Sequence, residues 1–198
     1  MKLCWSLALF ATAVLGLGQA ANAAPIASVD LDPLTPGVQE FGFALTGTSF
    51  EVDIVISGVD AGAPLNGFEL DLDFDPAILA AISVVDGGFL LGPVFVVHES
   101  VGSLSVEFAE VTLGSVGATG SGVLATIGFQ AIGTGSSLLD LNDLILAAPF
   151  GLPIPTAAVN DGTIAAAPIP EPSAAILFVV GGLIVSHTVR TRRGGRRS

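Results

Sequence analysis

Cysteine, histidine, tyrosine and positively charged residues are all scarce in this chain of 198 residues. The single cysteine, Cys4, lies at the front of an N-terminal apolar segment, so no disulfide can form within the rest of the chain. Of the two histidines, His187 lies near the C-terminus, so the central part of the chain has only His98. A single imidazole without a cysteine cannot build a zinc site. Tyrosine is absent, and the one tryptophan, Trp5, lies in the same N-terminal segment. A disulfide scaffold and a zinc site are therefore excluded.

Common catalytic patterns are missing as well. No segment resembles a nucleophile elbow, and no glycine-rich loop follows a strand and opens a helix as phosphate-binding loops do. Paired carboxylates can cleave glycosides, but such enzymes usually present aromatic platforms to sugars, and residues 24–167 contain neither Trp nor Tyr. The sequence therefore predicts a protein that is not an enzyme. It predicts no cofactor, with bound calcium left open.

The charge is strongly negative and unevenly placed. Eighteen Asp and Glu residues, all between Asp30 and Glu171, stand against six Lys and Arg, all at the two ends of the chain. With no Lys or Arg from residue 24 to residue 189, nothing could neutralise phosphates, which excludes nucleic-acid binding. Each carboxylate must be solvated, hydrogen-bonded or bound to a cation. Calcium-dependent stabilisation or cross-linking is thus an alternative to a simple solubility role.

Both ends of the chain carry targeting patterns. Lys2, the apolar stretch 3–17 and the small-residue site at 21–23 predict a secretory signal peptide, residues 1–23, that directs export by the Sec pathway. At the other end, residues 173–189 are uncharged and predict a transmembrane helix of roughly 26 Å, slightly shorter than a hydrocarbon core. Five arginines follow it and would stay on the cytoplasmic side: Arg190, Arg192, Arg193, Arg196 and Arg197.

The order of these C-terminal elements resembles the PEP-CTERM protein-sorting signal. Pro170, Glu171 and Pro172 precede the helix 173–189, and an arginine-rich tail, 190–198, ends the predicted sorting segment 168–198. The resemblance implies a Gram-negative bacterium that makes exopolysaccharide, and a partner exosortase that recognises and removes the tail. The protein would lie in the inner membrane before processing, and afterwards at the cell surface or in the extracellular matrix. A plain C-terminal membrane anchor is the alternative.

Between the two ends, residues 24–167 alternate with period two and are interrupted by Gly, Pro, Asn and Asp, which is typical of a β-sandwich. We expect an all-β domain of about nine mostly antiparallel strands. Their predicted ranges are 28–31, 49–58, 68–74, 78–85, 94–98, 103–110, 123–132, 137–146 and 163–166. Side chains expected to face the core include Leu104, Val106, Phe108, Val123, Ala125, Ile127 and Phe129.

The clearest alternation lies in the strand 68–74. Its apolar residues, Phe68, Leu70, Leu72 and Phe74, would be buried, and the residues between them form a row of four carboxylates: Glu69, Asp71, Asp73 and Asp75. Side chains two apart on a strand lie roughly 7 Å from each other. The row therefore repels itself unless water or a cation intervenes.

Residues 66–79, with the sequence NGFELDLDFDPAIL, resemble the F-x-L-x-[YF]-D-P-x-x-L strand and turn of cohesin domains. Residues 120–146 and 160–164 resemble later strands of the same domains, and the likeness spans roughly 28–166. It implies a nine-stranded jelly-roll β-sandwich, a fold shared with several carbohydrate-binding modules. Cohesins bind the calcium-loaded dockerin modules of partner proteins through one face of the sandwich.

The resemblance also implies a binding face. Glu69 would match an acidic contact position, with Asp71 and Asp73 on the same exposed side and with Ser105 and Glu107 as neighbours. The expected function is then an exported binding or adhesion module with a dockerin-like protein partner. Two alternatives stay open: a polysaccharide-binding module that uses polar and calcium-mediated contacts, and a passive charged matrix protein whose carboxylates are only a solvated surface.

Overall fold

The computed structural model describes residues 24–114 and 116–169, which form twelve β-strands. They are β1 Ile26–Asp30, β2 Phe41–Leu45, β3 Ser49–Val59, β4 Gly67–Asp73, β5 Leu79–Asp86, β6 Val94–Val101, β7 Ser105–Thr112, β8 Gly120–Ala131, β9 Gly135–Ala148, β10 Leu152–Pro153, β11 Ala158–Asn160 and β12 Gly162–Ala167. One short 3₁₀ helix, Pro149–Gly151, follows β9, and within the described ranges no helix is long and apolar enough to cross a membrane. The predicted signal peptide, the PEP motif, the apolar helix and the arginine tail lie outside the described residues.

The strands form two sheets. The first sheet has the order β11-β1-β3-β8-β5, and the second has the order β2-β12-β9-β4-β7-β6, with β10 paired to the end of β9. All pairs are antiparallel except β1 with β11 and β2 with β12. The all-β sandwich with mostly antiparallel strands is confirmed.

The core lies between the two sheets, where the alternating apolar side chains of both meet. Phe68, Leu70 and Leu72 of β4 are all buried, as their spacing predicts. Beneath them, the ring of Phe129 stacks on Phe50 with centroids 5.9 Å apart and meets Phe74 edge-on at 5.2 Å. Burying a side chain of this size contributes about 1.5–3 kcal/mol, so the core of this disulfide-free domain rests on apolar packing.

The expected number of strands was too low. All nine predicted strands are present, but β2, β10 and β11 are additional. The last two are only two and three residues long, too short to leave a periodic pattern. The residues of β2 are Phe-Gly-Phe-Ala-Leu, and this run has no polar residue to alternate with the apolar ones.

Two predicted core positions are wrong, one because of a register shift and the other because its strand begins later. A bulge in the β3–β8 pairing sets Ile54 opposite Ala125 and Val55 opposite Val123, so the extra residue, Leu124, is buried instead of Val123. Leu104 lies in the turn before β7 and is 62% exposed. The predicted strand 103–110 is shifted, since β7 begins two residues later and continues to Thr112.

Asp75 does not continue the row of carboxylates on β4. It lies beyond the end of that strand, where its Oδ1 accepts a hydrogen bond from the backbone N–H of Ala77 at 2.8 Å. Its own N–H donates to Oγ of Ser137 at 2.9 Å. Asp75 is therefore a turn residue that stabilises the connection to β5, with Pro76 at the next position.

One carboxylate, Glu110 of β7, faces the core. It follows Val106 and Phe108 on the inner side of the strand and is only 2% exposed. The pKa of Glu110 is raised to about 7, first by burial and then by the adjacent Asp86, through charge repulsion and a hydrogen bond between the two carboxyl groups. No described residue donates a hydrogen bond to Oε2 of Glu110. Because Asp86 ends β5 in the first sheet, this carboxyl pair links the two sheets.

Candidate binding face

Carboxylates cover the outer side of the second sheet. The central strand β4 turns Glu69, Asp71 and Asp73 away from the core, while Leu70 and Leu72 between them are buried. This pattern is the period-two alternation of a strand with one face in the core and the other in water. The row of three predicted residues therefore lies on one exposed surface.

The neighbouring strand β7 brings the other two predicted residues to the same surface. Glu107 lies directly opposite Asp71, and Ser105 lies directly opposite Asp73. Side chains at such positions have Cβ atoms about 4.5–5.5 Å apart, and like charges placed there destabilise the sheet. The five residues predicted from the sequence thus come together in the structure.

The third strand of this surface, β9, adds residues that the sequence analysis missed. Asp140 lies directly opposite Asp73, and Asn142 lies opposite Asp71 and donates a hydrogen bond to Oδ2 of Asp73 at 3.0 Å. Asp143 follows at a bulge with a φ of 45°, near enough to Asp71 to repel its charge. The sequence signal was the pair Asn142-Asp143, which breaks the alternation that runs from Leu139 to Asn142.

We call the resulting surface the acidic face and define it by six carboxylates on β4, β7 and β9: Glu69, Asp71, Asp73, Glu107, Asp140 and Asp143. At its centre, Asp71 is half-buried, and its Oδ1 is buried without a hydrogen-bond partner among the described residues. Desolvation raises the pKa of Asp71, and so do the negative charges of Asp73, Glu107 and Asp143. A side-chain hydrogen bond with Ser105 lowers this pKa. Such a site favours a ligand that brings positive charge and hydrogen-bond donors.

Within the described residues, the only side chain able to carry positive charge beside the acidic face is a histidine. Nε2 of His98 lies 2.8 Å from Oε2 of Glu107 at the β6 side of the acidic face. Both side chains are about half exposed, and an ion pair in such a position contributes at most about 1 kcal/mol. Residues 24–114 and 116–169 contain no Lys or Arg. The acidic face is therefore almost uncompensated.

A metal could in principle supply the missing charge. Across the part of the chain that the structure describes, no group of three or more His, Cys, Asp or Glu side chains is arranged to hold a metal ion. Calcium-mediated contact, left open by the sequence, stays a prediction.

Comparison with known protein families matches residues 44–165, more than half of the chain, to the cohesin domain. The chain belongs to the cohesin family. The matched range runs from the end of β2 into β12 and contains every residue of the acidic face. The resemblance found in residues 66–79, 120–146 and 160–164 is thereby confirmed.

Several solved cohesin structures have a similar fold. A non-cellulosomal cohesin from the archaeon Archaeoglobus fulgidus is 17% identical with a TM-score of 0.55, covering 77% of this chain and 96% of its own. The cohesin of a type I cohesin–dockerin complex from Clostridium thermocellum is 16% identical with a TM-score of 0.59, covering 76% and 98%. A cohesin module from a Clostridium perfringens family 33 glycoside hydrolase is 11% identical with a TM-score of 0.57, covering 74% and 99%.

At these identities the similar structures establish the shared fold alone. No curated protein sequence is significantly similar to this chain. The cohesin domain is a non-catalytic binding module. Which residues of this chain contact a partner must be identified from its own surface.

Proposed function

We propose that this cohesin binds a dockerin-like protein through the acidic face. The observation that carries the proposal is the uncompensated charge of the acidic face, where the charges of Asp73, Glu107 and Asp143 raise the pKa of Asp71 and no described Lys or Arg offsets them. Cationic hydrogen-bond donors from a docked partner would relieve this repulsion. One similar structure is the cohesin of a complex with a dockerin.

Charge favours a protein over a polysaccharide as the ligand of this face. Ionised carboxylates only accept hydrogen bonds, so the ligand has to provide donors. Sugar hydroxyls can donate, but a neutral glycan brings no charge to offset six carboxylates, whereas Lys and Arg side chains of a protein do both. The described residues also contain no Trp or Tyr for stacking on sugar rings.

The proposal is tested by capturing partners from the secretome of the source organism, with and without calcium. We expect one or a few proteins with dockerin-like sequence to be retained at 0.15 M salt and released at high salt, since exposed charges are screened there. Glycan arrays run in parallel test the alternative, which is polysaccharide binding. Binding of a polysaccharide with no protein retained would contradict the proposal.

We also propose that the chain is exported, inserted by residues 173–189 and then released by an exosortase to the surface or the exopolysaccharide matrix. The order of Pro170-Glu171-Pro172, apolar run and arginine tail supports this. We expect the protein to lose about 3 kDa when an exosortase is present, because roughly 29 residues of ~110 Da would be removed. Immunoblots of strains with and without the exosortase gene measure this difference. An unprocessed protein in both strains would mean a plain membrane anchor.

A further inference from the structure

A second surface of this cohesin, separate from the acidic face, has the shape of a binding groove. It encloses about 870 Å³ between β2 of the second sheet and the first residues of β3 in the first sheet, with Phe50 and Phe129 among the residues that line it. It exists because β1 ends at Asp30, opposite Asp53, so the first residues of β3 are paired only with β8. No residue of the acidic face lines this groove.

One wall of the groove is the edge strand β2. In its parallel pairing with β12, the carbonyl of Glu40 accepts a hydrogen bond from Thr163, and the N–H of Thr46 donates to Ala167. Backbone groups alternate in direction along a strand, so those of Phe41 and Phe43 point away from β12. Among the described strands none pairs with β2 on that side.

The edge of β2 lacks the features that protect the other edges of this sandwich. The pairing of β5 contains a bulge between Ala81 and Ser83, and that of β6 contains one between Val96 and His98. The fourth edge strand, β11, is only three residues long. In contrast, β2 pairs without a shift, carries no charge and exposes Phe41 and Phe43 to 56% and 79%. An unprotected apolar edge is a template for strand addition.

The polar groups of the groove indicate the charge of its ligand. Oε1 of Gln39, which lines the groove, is buried and receives no hydrogen bond from any described residue. The exposed carboxylates of Glu51 and Asp32 also line it. These groups are acceptors, so the ligand must bring donors, and Lys or Arg can also contact the exposed phenylalanine rings.

We propose that an extended segment of a partner protein, with apolar residues alternating with Lys or Arg, binds in this groove as an added strand on β2. Its backbone would pair with Phe41 and Phe43, its apolar side chains would pack on the phenylalanines, and its cations would meet the exposed carboxylates of Glu51 and Asp32. Recognition by strand addition gains affinity from the backbone and specificity from alternate side chains. A second copy of the domain fits poorly, because residues 24–189 contain no Lys or Arg and would bring only further acids. This inference does not depend on the proposed dockerin partner.

The probe is a fluorescently labelled eight-residue peptide of alternating valine and arginine, added to the full chain in lipid nanodiscs at 0.15 M salt. We expect saturable binding in fluorescence anisotropy. Methylation of alternate peptide nitrogens removes donors without removing charge, and it should weaken binding about tenfold or more. Phe43→Ser and Glu51→Lys should each weaken it about fivefold or more, and Asp71→Lys with Glu107→Lys should leave it within about twofold.

Several results would overturn the proposal. Equal binding of the methylated and unmethylated peptides would show attraction to the acidic surface without strand addition. No binding to the wild-type chain would overturn the proposal. So would binding that appears only after the five arginines of the tail are changed to glutamine, since the groove would then hold the chain's own terminus and not a partner. A dimer in sedimentation that Phe43→Ser dissociates would assign the edge to a second copy. If Phe43→Ser loses peptide binding but still binds the dockerin-like partner, the result would support this groove independently of the acidic face.

Discussion

Asp71→Lys combined with Glu107→Lys is expected to weaken partner binding by about 100-fold or more, because the centre of the acidic face then repels the cations it is proposed to bind. The two residues lie directly opposite each other on β4 and β7, so the change places two positive charges at one point. The fold should be at least as stable as before, since Asp73 and Asp143 would then have cations beside them. Isothermal titration calorimetry with the captured partner measures the loss, and thermal unfolding checks stability.

A matched variant separates this effect from a general change of charge. Glu40→Lys with Glu51→Lys alters the formal charge by the same amount at exposed positions outside the acidic face. We expect that variant to bind the dockerin-like partner within about threefold of the wild type at 0.15 M salt, where the Debye length is about 8 Å. Equal losses in both double variants would show that net charge, and not the acidic face, governs binding.

Acid should weaken this binding in the wild type. The pKa of Asp71 is raised by burial and by its acidic neighbours, so Asp71 takes up a proton at a higher pH than an ordinary aspartate does. A neutral Asp71 offers less attraction to a cation, and affinity should fall as the pH is lowered. A bound cation from the partner should in turn lower this pKa, so binding releases protons at mildly acidic pH.

Much of the sandwich and of its binding face could be predicted from the sequence because β4 follows simple alternation. Every second residue from Phe68 to Leu72 is buried, and Glu69 and Asp71 between them point outward, so the composition of each face could be derived from spacing alone. Ser105 and Glu107 followed from the same rule on β7 once the family resemblance placed the two strands side by side.

The positions that were missed depend on register, which a single strand does not reveal. Asp143 reaches the acidic face only through the bulge between β4 and β9, and Leu124 replaces Val123 in the core through the bulge between β3 and β8. A bulge moves every later residue by one position and so reverses which face it occupies. The edge strand β2, uniformly apolar, has no alternation to detect.

Glu110 leads to the second large effect. Alternation from Val106 and Phe108 points Glu110 inward, but it is the last residue of the predicted strand, whereas β7 continues to Thr112 and buries Glu110 on the inner side with Phe108. Buried beside Asp86, a protonated Glu110 can donate its hydrogen to the Asp86 carboxylate and join the two sheets. Once Glu110 is ionised, its buried carboxylate repels the exposed carboxylate of Asp86 and has lost most of its contact with water.

Stability should therefore fall as the pH rises. The pKa of Glu110 is about 7 in the folded chain and 4.5 ordinarily, so between these values the folded state binds more protons than the unfolded state. The contribution of Glu110 is fully present below pH 4.5 and is lost as the pH rises through 7. At 1.36 kcal/mol per pKa unit, the loss for this one group is about 3 kcal/mol. Equilibrium unfolding in urea at pH 4.5 and pH 8 measures it.

Glu110→Gln isolates this contribution from that of Asp71, whose raised pKa acts in the same direction. The glutamine amide keeps the volume and can still donate to Asp86, but it does not ionise. At pH 8 the variant should be more stable than the wild type by about 2–3 kcal/mol, and near pH 4.5 the two should agree within about 1 kcal/mol. Glu69→Gln, on the outer side of β4 and absent from the groups that shift Asp71 or Glu110, should leave the difference between pH 4.5 and pH 8 nearly unchanged. If Glu110→Gln keeps the full pH dependence of the wild type, the contact between Glu110 and Asp86 does not control the stability of this sandwich.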